Sequence, residues 1–146
     1  MKYIFQTADM SFIKRILAID NNYELLAYDN SPCLANYVPT GLWFILVDGT
    51  SIAGYVNLMC LNNVLWSPHI YIFKRHRGRG SEQWGRLIFN EMKQKYNAKK
   101  YLALTPYLPA KKYAEKIGFK YVTTLTQSIQ KNGQLLDQYM LSLGDD

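Results

Sequence analysis

The spacing of apolar residues changes along the chain and marks out a series of strands and helices. Tyr3 to Thr7 is a short apolar run that predicts a strand. From Ala8 to about Asp29 the spacing turns helical, with Phe12, Ile13, Ile16 and Leu17 on one face and Leu25, Leu26 and Tyr28 after Asn21 and Asn22. The interruption predicts two short helices rather than one. Ser31 to Gly41, with Pro32 and Pro39, reads as a loop. Trp43 to Val47, the Asp48-Gly49 turn and Ile52 to Leu61 predict a hairpin, and Asn62-Asn63 turns the chain into a further strand, Val64 to Phe73. Trp84, Leu87, Ile88 and Met92 fall at helical spacing, and Lys99 to Thr105 is again strand-like. Pro109 opens a shorter helix that ends at Gly118. Lys120 to Ile129 and Leu135 to Leu143 form a closing hairpin around Asn132-Gly133, a strong two-residue turn signal. The order is β-α-α-β-β-β-α-β-α-β-β, which predicts a mixed α/β fold around a mostly antiparallel sheet. Val64 to Thr105 makes one strand-helix-strand crossover, so those two strands are expected to run parallel.

At 146 residues the chain suits a single domain, residues 1–146, and its 49% hydrophobic and 19% charged residues exclude a disordered composition. Cys33 and Cys60 offer neither a disulfide framework nor ligand spacing, so no metal site and a reducing, cytoplasmic setting are expected. The N-terminal MKYIFQTADM lacks the features of a signal peptide, and WFILV and VNLMCL are too short to span a bilayer, so no membrane role is expected. The net charge of +6 is unevenly placed. Residues 1–73 hold three Lys/Arg against five Asp/Glu, whereas residues 74–146 hold fourteen against six. An anionic partner should therefore meet the second half.

The densest basic stretch is KRHRGRGSEQWGRLIF, Lys74 to Phe89. A strand, a glycine-containing turn and a helix start together make an anion site, because glycine lets the backbone approach a phosphate and the first helical amides point at it. A nucleic-acid arm fits less well, since no aromatic residues suited to base stacking are interleaved in the turn. Arg75-x-x-Gly78-x-Gly80, followed by Ala114-Glu-Lys-Ile-Gly-Phe119, resembles the Gcn5-related N-acetyltransferase (GNAT) superfamily, whose element order matches essentially the whole chain. The resemblance implies acetyl-CoA in a cleft where the fourth and fifth strands splay. It also implies cofactor contacts from Arg75, Arg77, Gly78, Arg79, Gly80 and Ser81, with the pyrophosphate on the amides of Arg77 to Ser81. A narrower likeness, carried by His69-Ile-Tyr-Ile72, R-G-x-G-S-x-x-x-G-R from Arg77 to Arg86 and NGQLLDQ from Asn132 to Gln138, is to GNAT-like proteins of tailed bacteriophages.

The sequence departs from the superfamily pattern in two places. Ser81-Glu82-Gln83 look like extra residues before the helix phrase Trp84-Gly85-Arg86-Leu87-Ile88, which predicts a longer or displaced turn. The position of the superfamily's tyrosine acid holds Ala114, and that of its strand-end asparagine holds Tyr107; Tyr113, one step round the helix, is expected to pack in the core. An amine acceptor with pKa near 10.4 is neutral in on the order of one molecule per thousand at pH 7, a cost of roughly 4 kcal/mol, so a base or a desolvated pocket is needed. His69 is the candidate base, with a pH–rate limb expected in the imidazole range. Tyr107 and Tyr139 are candidates to face the cleft, Pro68 suggests a bulge, and His76 is expected to face solvent. The first reading is an acetyl-CoA-dependent N-acetyltransferase acting on a primary amine of a small molecule or protein. The second is a GNAT-fold bacteriophage assembly protein, with phage structural proteins as partners and little or no catalysis.

Overall fold

The computed structural model describes residues 1–144. Seven strands, β1 (Lys2–Thr7), β2 (Leu42–Asp48), β3 (Ser51–Cys60), β4 (Leu65–Ile72), β5 (Lys100–Thr105), β6 (Lys120–Lys131) and β7 (Gln134–Gly144), form one sheet in the order β1-β2-β3-β4-β5-β7-β6. The helices are α1 (Met10–Ala18), α2 (Tyr23–Leu26), α3 (Glu82–Tyr96) and α4 (Leu108–Lys116). All neighbouring strands are antiparallel except β4 and β5, which run parallel as the crossover requires.

Both faces of the sheet are covered, which explains the unbroken apolar run in β2. Phe44 and Leu46 pack with Trp84, Ile88 and Met92 of α3, while Trp43, Ile45 and Val47 pack with Ile13, Ile16 and Leu17 of α1. Burying each of those three α1 side chains is worth about 1.5–3 kcal/mol. α1 starts at Asp9, whose side chain accepts from the Phe12 amide at 3.1 Å. It stops where Asp20 and Asn21 adopt positive φ. Buried Asn22 then donates its amide to the Ile16 and Ile19 carbonyls, both at 2.7 Å, so the predicted interruption is also the cap.

Pro68 causes no bulge. It sits opposite Leu58 in an unbroken register from Gly54↔Ile72 to Cys60↔Trp66. A proline fits that ladder only with its missing N–H on the side away from β3, which is the side where β4 lacks a partner.

Candidate functional site

β4 and β5 pair only at Leu65↔Lys100 and Trp66↔Tyr101. Beyond Trp66 β4 has no strand on that side among the described residues, while β5 stays paired on its other edge with β7, from Lys100↔Gly144 to Thr105↔Tyr139, so the two parallel strands splay. The result is a wedge-shaped opening at the carboxyl ends of two parallel strands, where open α/β sheets bind ligands. The basic turn lies at the end of β4 and leads directly into α3.

Within that turn Gly78 and Gly80 have φ of 113° and 85°, backbone conformations that favour glycine. The Arg77 amide donates to the Lys74 carbonyl at 3.3 Å and the Ser81 amide to the Gly78 carbonyl at 3.2 Å. The amides of Gly78, Arg79 and Gly80 have no such partner among the described residues. The expected cradle from Arg77 to Ser81 therefore narrows to its middle three residues. The arginines are likewise unequal. Arg75 Nε donates to His76 Nε2 at 3.2 Å, and Arg77 Nε donates to the Ile72 carbonyl at 2.7 Å while its guanidinium lies 5.3 Å from the Tyr71 ring centre. Arg79 has no hydrogen-bond or ion-pair partner among the described residues and is exposed. His76 does not face solvent as expected. Its side chain is 13% exposed, with Nδ1 3.9 Å from Asp48.

The three extra residues extend α3 rather than the loop. Ser81 is already helical in backbone conformation and 4% exposed, and α3 begins at Glu82. Trp84, 0% exposed, fixes this first turn by donating Nε1–H to the Val47 carbonyl at 3.1 Å. Glu82 places a carboxylate at the helix start. Its pKa is lowered first by its own backbone amide, then by Lys116, whose Nζ is 3.2 Å away. A groove of about 430 Å³ runs beside the turn, lined by Lys2, Gln83, Arg86, Leu87 and Asn90.

α4 carries no tyrosine at the expected acid position; Ala114 there is 9% exposed and packs in the core. Tyr113 also packs against that core, as expected, and its hydroxyl donates to the Ser81 carbonyl at 2.9 Å. Burial, then the charge of Glu82, pushes its pKa up. Tyr113 thus ties α4 to the start of α3.

On the opposite face of the sheet His69 stacks on Tyr55, with ring centres 5.9 Å apart and planes 26° apart. His69 Nε2 and the Tyr55 hydroxyl are both buried and, among the described residues, have no hydrogen-bond partner. Such groups are uncommon in folded proteins, where a buried polar atom ordinarily finds a protein group, a water or an ion. Burial, then the charge of Lys131, lowers the His69 pKa to about 4. Lys131 was not singled out by the sequence. It ends β6, and its ammonium donates to the Glu24 carbonyl at 2.6 Å and to the Tyr107 hydroxyl at 2.8 Å. The Tyr107 hydroxyl therefore meets the end of β6 where that strand approaches α2. Tyr139 does not join them: it packs on the other face of the sheet, against the core under α3 and α4, with Lys111 Nζ 5.6 Å from its ring centre.

No protein-family model matches the chain, and no curated protein matches it significantly. Solved structures do. The spermidine N-acetyltransferase of Vibrio cholerae, in complex with CoA and spermine, shares 16% identity over 98% of this chain and 95% of its own, with a TM-score of 0.77. An N-acetyltransferase from Staphylococcus aureus Mu50 shares 14% over 99% and 97%, TM-score 0.75. The Salmonella typhimurium protein yncA, assigned as an acetyltransferase and solved with its cofactor acetyl-CoA, shares 17% over 100% and 95%, TM-score 0.72. At this identity the likeness shows the fold, which is that of the GNAT acetyltransferases.

Proposed function

We propose that this protein is an acetyl-CoA-dependent N-acetyltransferase acting on a primary amine. The observation that carries this reading is the β4–β5 opening with the three unpartnered amides of Gly78, Arg79 and Gly80 at its mouth. Those amides and the Arg79 guanidinium suit a pyrophosphate, and the neighbouring Lys2–Arg86 groove suits further anionic parts of a nucleotide. Acetyl-CoA supplies an activated acetyl thioester. In the transfer the acceptor nitrogen forms the new N–C bond, the C–S bond breaks, and the thiolate leaves without obligatory protonation, given a thiol pKa of about 8.5. The acceptor ammonium loses one proton to solvent before attack, and its nitrogen, made cationic by forming the N–C bond, loses a second as the amide forms. His69 Nε2 is the group we assign to receive that second proton, and Tyr107 the group we assign to orient the acceptor.

The second reading is a GNAT-fold assembly or interaction protein of the kind suggested by the sequence likeness to bacteriophage proteins. The Glu82 carboxylate favours it, because a negative charge on the first amide of α3 competes with a pyrophosphate there. Acetyl-CoA binding separates the two. At one hundred times its dissociation constant a ligand stabilises the fold by about 2.7 kcal/mol, seen as a raised melting temperature. A folded sample whose melting temperature stays put in about millimolar acetyl-CoA would replace the first reading with the second.

A further inference from the structure

Resting on the acetyl-transfer reading, we propose that the acceptor carries a carboxylate close to its amine, as an amino acid does, and that Lys131 and Tyr107 bind that carboxylate. Lys131 is half-buried and, among the described residues, has no carboxylate partner. Its two acceptors, the Glu24 carbonyl and the Tyr107 hydroxyl, are both uncharged. An ammonium has three N–H donors, so one remains. Tyr107 accepts from Lys131 and donates to nothing among the described residues, so its O–H is a second free donor beside the first. Two adjacent donors, one charged, match the two oxygens of a carboxylate.

The same cleft is poorly suited to a polycation. Residues 21–41 contain only two acids, Glu24 and Asp29. Asp29 spends both carboxylate oxygens on the amides of the hairpin turn, Asn132 at 2.7 Å and Gly133 at 3.0 Å. Lys111 of α4 stands on the other face of the sheet, over Tyr139 and Tyr121, and is paired with Glu115 at 2.9 Å, so it does not offset the charge of Lys131. That charge is also felt at His69, where it is the second cause, after burial, of the lowered pKa. A bound carboxylate would neutralise it, whereas a polyamine would add to it.

The test is equilibrium binding of matched probes to the CoA-loaded protein by calorimetry: L-lysine against cadaverine, L-ornithine against putrescine, and spermidine. Each carboxylated probe is expected to bind about tenfold tighter than its decarboxylated partner, a gain of about 1.4 kcal/mol. Lys131→Met should bring each ratio close to one, and Lys131→Arg, which keeps the charge, should preserve it. Melting curves of both variants establish that they are folded. Tighter binding of spermidine or the diamines, a preference that survives Lys131→Met, or no binding of either amino acid overturns the proposal. Failure of CoA itself to bind is read in the same calorimeter and overturns the acetyl-transfer reading instead.

Discussion

A pKa of about 4 makes His69 neutral throughout the physiological range and a weak base. The pH–rate limb expected near the ordinary imidazole pKa of about 6.5 therefore moves down towards 4, and turnover between pH 5 and 7 should show no step due to His69. His69→Ala is expected to lower turnover about tenfold or more while changing acetyl-CoA affinity little, measured by steady-state kinetics and calorimetry. The same shift has a consequence for stability. The unfolded chain takes up a proton near pH 6.5 that the folded chain refuses until about 4, so the folded state loses up to about 3 kcal/mol as pH falls through that window. Urea unfolding at pH 7 and pH 4.5 should show a larger loss for the wild type than for His69→Phe, which retains an aromatic ring against Tyr55. Equal losses would remove His69 as the cause.

Two ties between elements hold the site, and neither involves a charge pair. Tyr113 joins α4 to the carbonyl of Ser81. Tyr113→Phe should cost about 1 kcal/mol in chemical denaturation, the ordinary worth of one hydrogen bond, and change turnover by less than about twofold. Loss of all activity in a folded Tyr113→Phe protein would instead give this hydroxyl the acid role that Ala114 lacks. Asp29 joins the segment after α2 to the β6–β7 turn, accepting from two amides while its own amide donates to Gln130 at 3.1 Å. Asp29→Ala is expected to speed hydrogen exchange at Asn132 and Gly133 about tenfold or more, leaving the α3 amides unaffected. With this clasp loosened, the hairpin that carries Lys131 loses its fixed distance from Tyr107.

At the scale of the whole molecule, charge and sheet topology converge on the opening between β4 and β5. The second half of the chain holds fourteen Lys/Arg against six Asp/Glu, and its turn is delivered to the mouth of the β4–β5 wedge. Diffuse attraction and local binding can be separated with two charge reversals. Arg79→Glu should weaken acetyl-CoA binding about tenfold or more, because Arg79 is unpaired beside the free amides. Lys95→Glu should change it less than about twofold, since Lys95 sits near the other end of α3, paired with Glu91 at 2.8 Å. Equal effects would mean that the field of the basic half, rather than this turn, attracts the nucleotide. Among the described residues there is no helix long and apolar enough to cross a membrane and no acidic, histidine and cysteine cluster able to hold a metal.

The order of elements, the parallel crossover and the glycine turn were all legible in the sequence, because each depends on local period or local backbone freedom. Asn132-Gly133 announces its hairpin, and Gly78 and Gly80 announce theirs as a turn that other residues disfavour. Even the helix interruption was visible at Asn21 and Asn22, though not that Asn22 would cap what came before it. The tertiary structure decided which donors are free. Arg75, Arg77 and Arg79 look alike in sequence, and packing alone ties the first to His76 and the second to Ile72 while leaving the third open. It also put Glu82 and Gln83 into α3 with Ser81 as its cap, next to the buried Trp84 that bonds the Val47 carbonyl of β2. Lys131 had no signal at all, because a lysine at a strand end is ordinarily solvated. The clasp between Asp29 and the hairpin turn, residues about a hundred positions apart, holds the hairpin where its ammonium meets Glu24 and Tyr107.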